Sequence, residues 1–403
     1  MKIIISAFGT RGDVQPSVVI ASEAIRRGHD VEVIVSAGMI ELPQLYNIPY
    51  KLYSGDTAKE QFGRLGGSFW AAKKIGDRVT DHIMVQAKEL PAFCVDADIL
   101  IGSSLDPVAA SVAESCKISF VRTSFTPLFG GENRPVTFPL QRMPLFLNRV
   151  FWKFFIFLWD LMLRGPVNKG RTSLKLAPIK NYQKYIESSP TLLCLDERLA
   201  PSAPQWPSNI IYTGYPFLKS NEKLSPDLDD FLNSGDPPIY FGFGSMGSDN
   251  PERTTRIIIN AIKKTKIRAV INKGWAGLGM DNLPDNIFET DNIAHDILFP
   301  HLSGVVHHGG AGTTHTAACA GIAQLIIPHI TDQFYYGQSV FENKLGPQPL
   351  PFRKISEDKL SEKILLLQKQ EFSKAAKDFA DSMVKNGDEN IIDEIEKLLL
   401  PLT

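Results

Sequence analysis

Cysteine is scarce: four residues in 403, Cys94, Cys116, Cys194 and Cys319, with no two at C-x-x-C spacing. That argues against a disulfide framework or a thiolate metal site and predicts free thiols in a reducing compartment, the cytoplasm. Excess charge is also missing. With 43 Lys and Arg against 44 Asp and Glu, the net charge is −1, and no basic surplus exists to meet a nucleic-acid backbone. No apolar run reaches the roughly 20 residues of a membrane span, because Lys153 and Asp160 interrupt the longest candidate. The opening run, Met1 to Ser6, is too short for a secretory leader and leads into a polar glycine turn, so it reads as a buried first strand. No internal repeat is visible. Hydrophobic residues at 43% and charged residues at 22% are ordinary for a globular chain, and the length predicts two domains.

The elements alternate. Lys2–Phe8 predicts a strand, 9–16 a turn, Ser17–Arg27 an amphipathic helix closed by Gly28, and Asp30–Ser36 a second strand. This βαβ unit implies a parallel sheet, with the first turn at its carboxyl edge, where α/β proteins place ligands. Asp13 is the acidic residue of that turn; as a string it reads equally as a structural residue, starting the helix or pairing with Arg11, or as a functional acid at the ligand edge. Asp96-Ala97-Asp98 matches the DxD string of metal-dependent sugar transferases, yet it precedes its strand instead of following one, so a structural role is expected. Composition shifts between Gly214 and Pro238, and a second α/β unit opens at Pro238. The expected division is 1–218, a linker at 219–236, 237–375, and a carboxyl-terminal helical piece at 376–403 that packs back onto a domain.

The second half carries the densest chemistry. An apolar run, 302–306, leads into His307-His308-Gly309-Gly310-Ala311-Gly312-Thr313-Thr314, and a short helical stretch follows, closed by Gly321. Strand, glycine turn and helix start gather unpaired N–H groups and the positive end of a dipole, with no acidic residue to neutralise them. That attracts an anion, a phosphate above all. Gly242-Phe243-Gly244-Ser245-Met246-Gly247 formally matches a dinucleotide fingerprint, but the next strand ends at Asn272-Lys273-Gly274 without the ribose-binding acid, which argues against a nicotinamide enzyme. Six of the eight histidines lie between His295 and His329, without HExxH or interleaved carboxylates, so no metal is expected. Neighbours on a strand face opposite ways, so only one of His307 and His308 should meet a ligand. Residues 139–165 are strongly apolar and aromatic, with Arg142, Arg149, Lys153 and Arg164 among them. They read as a core helix, or as the lipophilic wall of an acceptor cleft in peripheral contact with a membrane surface.

Gly9-Thr10-Arg11-Gly12-Asp13-Val14-Gln15-Pro16, His295-Asp296-Ile297-Leu298-Phe299-Pro300, the 307–314 stretch and Asp332-Gln333 together resemble, in order and spacing, the sterol glucosyltransferases and the glycopeptide-antibiotic glycosyltransferases. The resemblance implies a GT-B fold: an α/β chain with two Rossmann-like domains, parallel sheets facing across a cleft, acceptor on the first and donor on the second. It implies an inverting, metal-independent transfer of a hexose, expected to be glucose, from a UDP- or TDP-sugar to a lipophilic small-molecule acceptor. Asp13 then aligns with the catalytic base, with Thr10 and Arg11 supporting the base or a phosphate. His308, Gly310, Gly312, Thr313, Thr314 and Ser245 would hold the diphosphate, the imidazole being positively poised. Asp332 and Gln333 would hold the sugar and Trp275 the nucleobase. Ile297, His315, Thr316 and Ile330-Thr331 depart from the family pattern around the donor, and long amino-terminal lipid-binding extensions are missing from the sequence. A sugar-nucleotide epimerase or a catalytically silent binding protein of the same fold is the alternative.

Overall fold

The computed structural model describes residues 1–54, 69–104, 106–127, 134–136, 138–244, 250–272, 283–291 and 293–399, apart from the side chains of 69–78. Two parallel sheets organise the chain. The first contains β1 (Lys2–Ala7), β2 (Asp30–Val35), β3 (Tyr50–Leu52), β4 (Ile99–Ser103), β5 (Ser119–Ser124), β6 (Thr191–Leu193) and β7 (Ile210–Tyr212), in the order β3-β2-β1-β4-β5-β6-β7. The second contains β8 (Ile239–Gly242), β9 (Ala269–Asn272), β10 (Ile287–Thr290), β11 (Gly304–His307) and β12 (Gln324–Ile326), in the order β10-β9-β8-β11-β12. The central strands are covered on both faces, which is why they read as unbroken apolar runs: Ile3, Ile4 and Ile5 are all buried.

The strand orders locate the ligands in advance. Succession reverses between β1 and β4 in the first sheet and between β8 and β11 in the second, and such switch points open crevices beyond the carboxyl ends of strands. Gly9–Asp13 follows β1, and 308–314 follows β11. Asp98, by contrast, precedes β4 and accepts the Lys2 N–H at 2.7 Å, at the opposite edge of the sheet. The DxD string is structural.

One local expectation changes. The first helix spans Arg11–Arg26, not Ser17 onward. A reciprocal cap starts it early: Asp13 N–H donates to the Thr10 carbonyl at 3.0 Å, and Asp13 Oδ2 accepts the Thr10 N–H at 2.8 Å. Pro16 is carried inside this helix, and the Ser17 hydroxyl donates to the Asp13 carbonyl nearby.

The chain ends in helices Gln370–Asp381 and Gly387–Leu399. The latter lies on the first half: Ile391, Ile392 and Ile395 enter the core shared with β1 and helix Arg11–Arg26, while Arg27 reaches Asp393 at 2.6 Å and Glu396 at 3.3 Å. The same core takes Tyr335, Tyr336 and Val340 from helix Gln333–Glu342, so it is continuous between the elements of the two sheets. Polar bonds reinforce this junction, including Ser339 Oγ to the Leu199 carbonyl at 2.6 Å and Tyr336 OH to the Phe125 carbonyl at 2.9 Å. Among the described residues no helix is long and apolar enough to cross a membrane. The cysteines are free thiols.

Candidate functional site

Asp13 sits at N3 of the helix that leaves β1. Its Oδ2 accepts from the Thr10 N–H at 2.8 Å and from the Thr10 hydroxyl at 3.0 Å, so Thr10 supports it directly. Gly9 turns at φ +133°, and a Cβ built there would strike the Asp13 carboxylate; the base candidate therefore depends on glycine beside it. Burial pushes the Asp13 carboxyl up to about 6, against the Thr10 hydrogen bonds that favour the anion. The remaining upward contributions come from the charges of Asp332 and Asp106. Asp332 belongs to the second half, so the two carboxylates share one electrostatic neighbourhood across the cleft. The Arg11 side chain is exposed and donates to Gln15 Oε1 at 3.1 Å rather than pairing with Asp13.

Behind Asp13, at the β4 side of the same switch point, lies a polar cluster unread in the sequence. Asp106 is buried, accepts the Ser103 N–H at 3.0 Å, is bonded by Gln86 Nε2, and lies 3.9 Å from His82 Nε2. The only sequence signal for it was its place just past a strand end.

The opposite wall is built from β8 and β11, which pair with His307 opposite Gly242. His308 is held between their two glycine turns. A Cβ on Gly310 would lie 2.5 Å from its Nε2, and one on Gly244 3.1 Å from its Cε1. Its Nδ1 is buried and finds no hydrogen-bond partner among the described residues. Desolvation, with His307, His329 and His295 adding to it, holds its pKa well below the ordinary value. Without a ligand, burial thus disfavours the positively poised imidazole that the resemblance implied, and His308 presents a neutral ring with one N–H donor.

His307 has the structural role expected of one member of the pair. It is fully buried, its Nε2 lies 3.0 Å from Gln324 Oε1, and its Nδ1 accepts the Gly309 N–H at 3.2 Å. This fixes the Nε2–H tautomer and pins the glycine turn to β12. Among the described residues no group of three His, Cys, Asp or Glu converges as a metal set would.

Helix Ala311–Cys319 starts at the Gly310 cap. Its first internal bond runs from Thr314 N–H to the Gly310 carbonyl, leaving the amides of Ala311, Gly312 and Thr313 ahead of it as the orphan donors of a helix start. Thr314 itself is a correction: buried, with its hydroxyl also bonded to the Gly310 carbonyl at 2.9 Å, it offers a ligand neither donor. Gln333 is divided. Its Oε1 accepts from the His329 and Ile330 amides at 2.8 and 3.2 Å, so only its NH2 is left for a sugar hydroxyl. Asp332 Oδ1 accepts from the Thr331 hydroxyl at 2.9 Å, and burial raises its carboxyl. Ser245 and Trp275 lie outside the described residues.

Two further residues join the halves here. His315 Nδ1 lies 2.7 Å from the Ala311 carbonyl and its Nε2 accepts the Asp196 N–H at 3.2 Å, a neutral bridge between a helix of the second half and a loop of the first. Tyr215 stacks on His315 with ring centroids 4.8 Å apart and aims its hydroxyl at Gly312, where a Cβ would come within 2.9 Å of it. Burial keeps the phenol protonated, and Asp13 lies near enough to act on it. Tyr215 follows β7 and a positive-φ Gly214, a strand-end signature that the eight-residue motifs obscured. Tyr215→Phe removes only the hydroxyl. It is expected to leave the melting temperature nearly unchanged and to weaken nucleoside-diphosphate binding about tenfold in calorimetry, one hydrogen bond to a charged group.

A profile of the glycosyltransferase family 28 amino-terminal domain matches residues 3–129, and one of the erythromycin biosynthesis protein CIII-like carboxyl-terminal domain matches 263–398. A sterol 3-beta-glucosyltransferase of Arabidopsis thaliana is 31% identical over 418 residues, covering 96% of this chain and 66% of the plant protein. The chain thus spans just under two thirds of that relative. The vancomycin aglycone glucosyltransferase of Amycolatopsis orientalis is 28% identical over 86% of this chain and 85% of its own. The crystal structure of the glycosyltransferase VinC in complex with dTDP superposes with a TM-score of 0.70 at 17% identity, covering 99% of each chain. With both domain profiles matched in order along it, the chain belongs to the GT-B glycosyltransferases, homologous to the sterol 3-beta-glucosyltransferases and the glycopeptide glycosyltransferases.

Proposed function

We propose that the chain is an inverting, metal-independent hexosyltransferase, moving glucose from UDP-glucose or a TDP-sugar to a hydroxyl of a lipophilic acceptor such as a sterol, a lipid or an aglycone, in peripheral contact with a membrane through residues 139–165. The observation that carries this is Asp13 at one switch point sharing an electrostatic neighbourhood with Asp332 at the other, beside the start of helix Ala311–Cys319. Asp13 takes the acceptor hydroxyl proton as that oxygen attacks the anomeric carbon from the side opposite the diphosphate. The bond from the anomeric carbon to the diphosphate oxygen breaks, and its electrons leave with the diphosphate. The amides of Ala311, Gly312 and Thr313 and an N–H of His308 receive that growing charge without any cation. Asp332 and the Gln333 amide hold sugar hydroxyls.

A donor screen tests the reading: UDP- and TDP-sugars against sterols, glycolipid precursors and aglycones, with nucleoside-diphosphate release and the anomeric configuration of the product as readouts. Acceptor-dependent release with an inverted product is expected. Interconversion of sugar epimers without an acceptor would assign the site to an epimerase, and tight binding without turnover to a silent binding protein.

A further inference from the structure

Helix Leu145–Ser173 is apolar on two opposite sides, and only one of them is covered. Trp152, Leu163 and Val167 face inward and are buried. Phe146, Val150, Phe154, Phe157 and Leu161 recur every three or four residues on the outer side and are 57–65% exposed. Isolated exposed hydrophobics are ordinary, but a continuous stripe over about four turns marks a docking face.

Charge identifies what docks. The chain as a whole is slightly acidic, yet helix Leu145–Ser173 carries five Lys and Arg against one acid, Asp160, with Arg171 paired inward on Glu114 and Arg164 beside Asp160. Asp160 is itself buried and accepts the Tyr182 N–H at 2.6 Å, so it contributes little to the outer surface. Arg142, Lys153, Lys169 and Lys175 are exposed around the stripe. An apolar stripe rimmed by cations on a helix too polar to span is the signature of an interfacial helix lying in the headgroup layer of an anionic bilayer. A second copy of the chain would bring the same positive rim against itself.

We infer that the outer face of helix Leu145–Ser173 docks on an anionic lipid bilayer, with the phenylalanines in the acyl boundary and the cations among headgroup phosphates. The geometry gives the docking a purpose at the proposed site. The segment leading into the helix runs along the donor side of the cleft, with Arg134 over the Tyr335 ring at 4.8 Å and Arg142 over Phe341 at 5.6 Å. Helix Gln333–Glu342, which carries both rings, begins at the sugar-binding candidates. Docking therefore brings the cleft beside the phase that dissolves a lipophilic acceptor; only this purpose, not the binding, rests on the proposed function.

The test is flotation of the full chain with vesicles of phosphatidylcholine alone and with added phosphatidylglycerol, at low and high salt. Binding to the anionic vesicles, weakened by salt, is expected. Phe154→Asp with Phe157→Asp should lower partitioning at least ~100-fold, the transfer value of two aromatic side chains. Lys153→Gln should lower it about fivefold on anionic vesicles and leave neutral ones unaffected. Both side chains replaced in the double variant are exposed, so nucleoside-diphosphate binding by that variant should match the parent. Loss of nucleotide binding by the parent would sink the transferase reading and leave the docking intact. No vesicle binding, binding indifferent to lipid charge, or a dimer that the double variant dissolves would each overturn the docking.

Discussion

Asp13→Asn is expected to lower kcat by about 10²–10⁴-fold, the usual contribution of a positioned base, while the donor binds as before. The substitution is close to isosteric. The asparagine carbonyl still accepts the Thr10 N–H, so the early start of helix Arg11–Arg26 survives, and what is lost is the ability to take a proton. Stability moves the other way. A carboxyl raised from 3.8 to about 6 on folding contributes stability only below its unfolded value and loses it as pH rises through 6. At neutral pH the buried anion therefore costs folding roughly 1–3 kcal/mol, and the neutral amide removes that cost. A variant that is slower and melts higher at pH 7.5, with the gain vanishing near pH 4, is the expected signature. The parent enzyme should lose kcat/KM as pH falls below about 6, and the asparagine variant should show no such limb. Unchanged turnover in the variant would remove Asp13 from the chemistry, whatever its melting temperature.

The parts of this molecule that were legible in the sequence are those decided locally. Unbroken runs such as Lys2–Ala7 announced parallel strands because both faces of a parallel sheet are covered, and glycine turns after them announced the ligand edge. Alternation of strand and helix sufficed for two α/β units with parallel sheets. What local pattern could not give was how polar groups are spent. Thr313 and Thr314 are adjacent and chemically identical, yet Thr314 turns inward to bond the Gly310 carbonyl. His308 looked poised to carry charge because its burial beside His295 and His329, which come from separate elements, is a tertiary matter. Asp13 read as a helix-start residue or as a functional acid; it caps the helix, and the same hydrogen bonds orient the buried carboxylate proposed as the base. The aromatic helix posed the same kind of question. Its periodicity admitted a core helix or a lipophilic wall, and the fold buries one face and leaves the other exposed, which no count of apolar residues distinguishes.

Acid should destabilise this protein steeply between pH 7 and pH 5. His295, His307, His315 and His329 are buried and depressed to about 3, 4, 4 and 4, and His308 lies well below its ordinary value. Burial is the leading cause in each. A histidine with a depressed folded pKa contributes stability that is present above the unfolded value near 6.5 and lost as pH falls. Each such group costs about 1 kcal/mol between pH 7 and pH 5.5, so the five together remove roughly 3–6 kcal/mol, a large share of a folding free energy. Protonation of Asp13 works in the opposite sense but is one group against five. Thermal melts at pH 7.5 and 5.5 should show a fall of several degrees or more, and His329→Gln should flatten the dependence by about one proton. A flat profile would mean that the cluster is solvated or charged, and the neutral His308 argued for the donor site would fall with it. The same cluster links stability to function. A diphosphate placed against the unpartnered Nδ1 of His308 favours its protonated form, so binding near pH 6 should take up a proton. Calorimetry in buffers of different ionisation enthalpy measures that uptake. It should fall in His308→Ala, the remainder belonging to Asp13, whose carboxyl is raised to about 6 in the same cleft, while the other four histidines keep their protein partners.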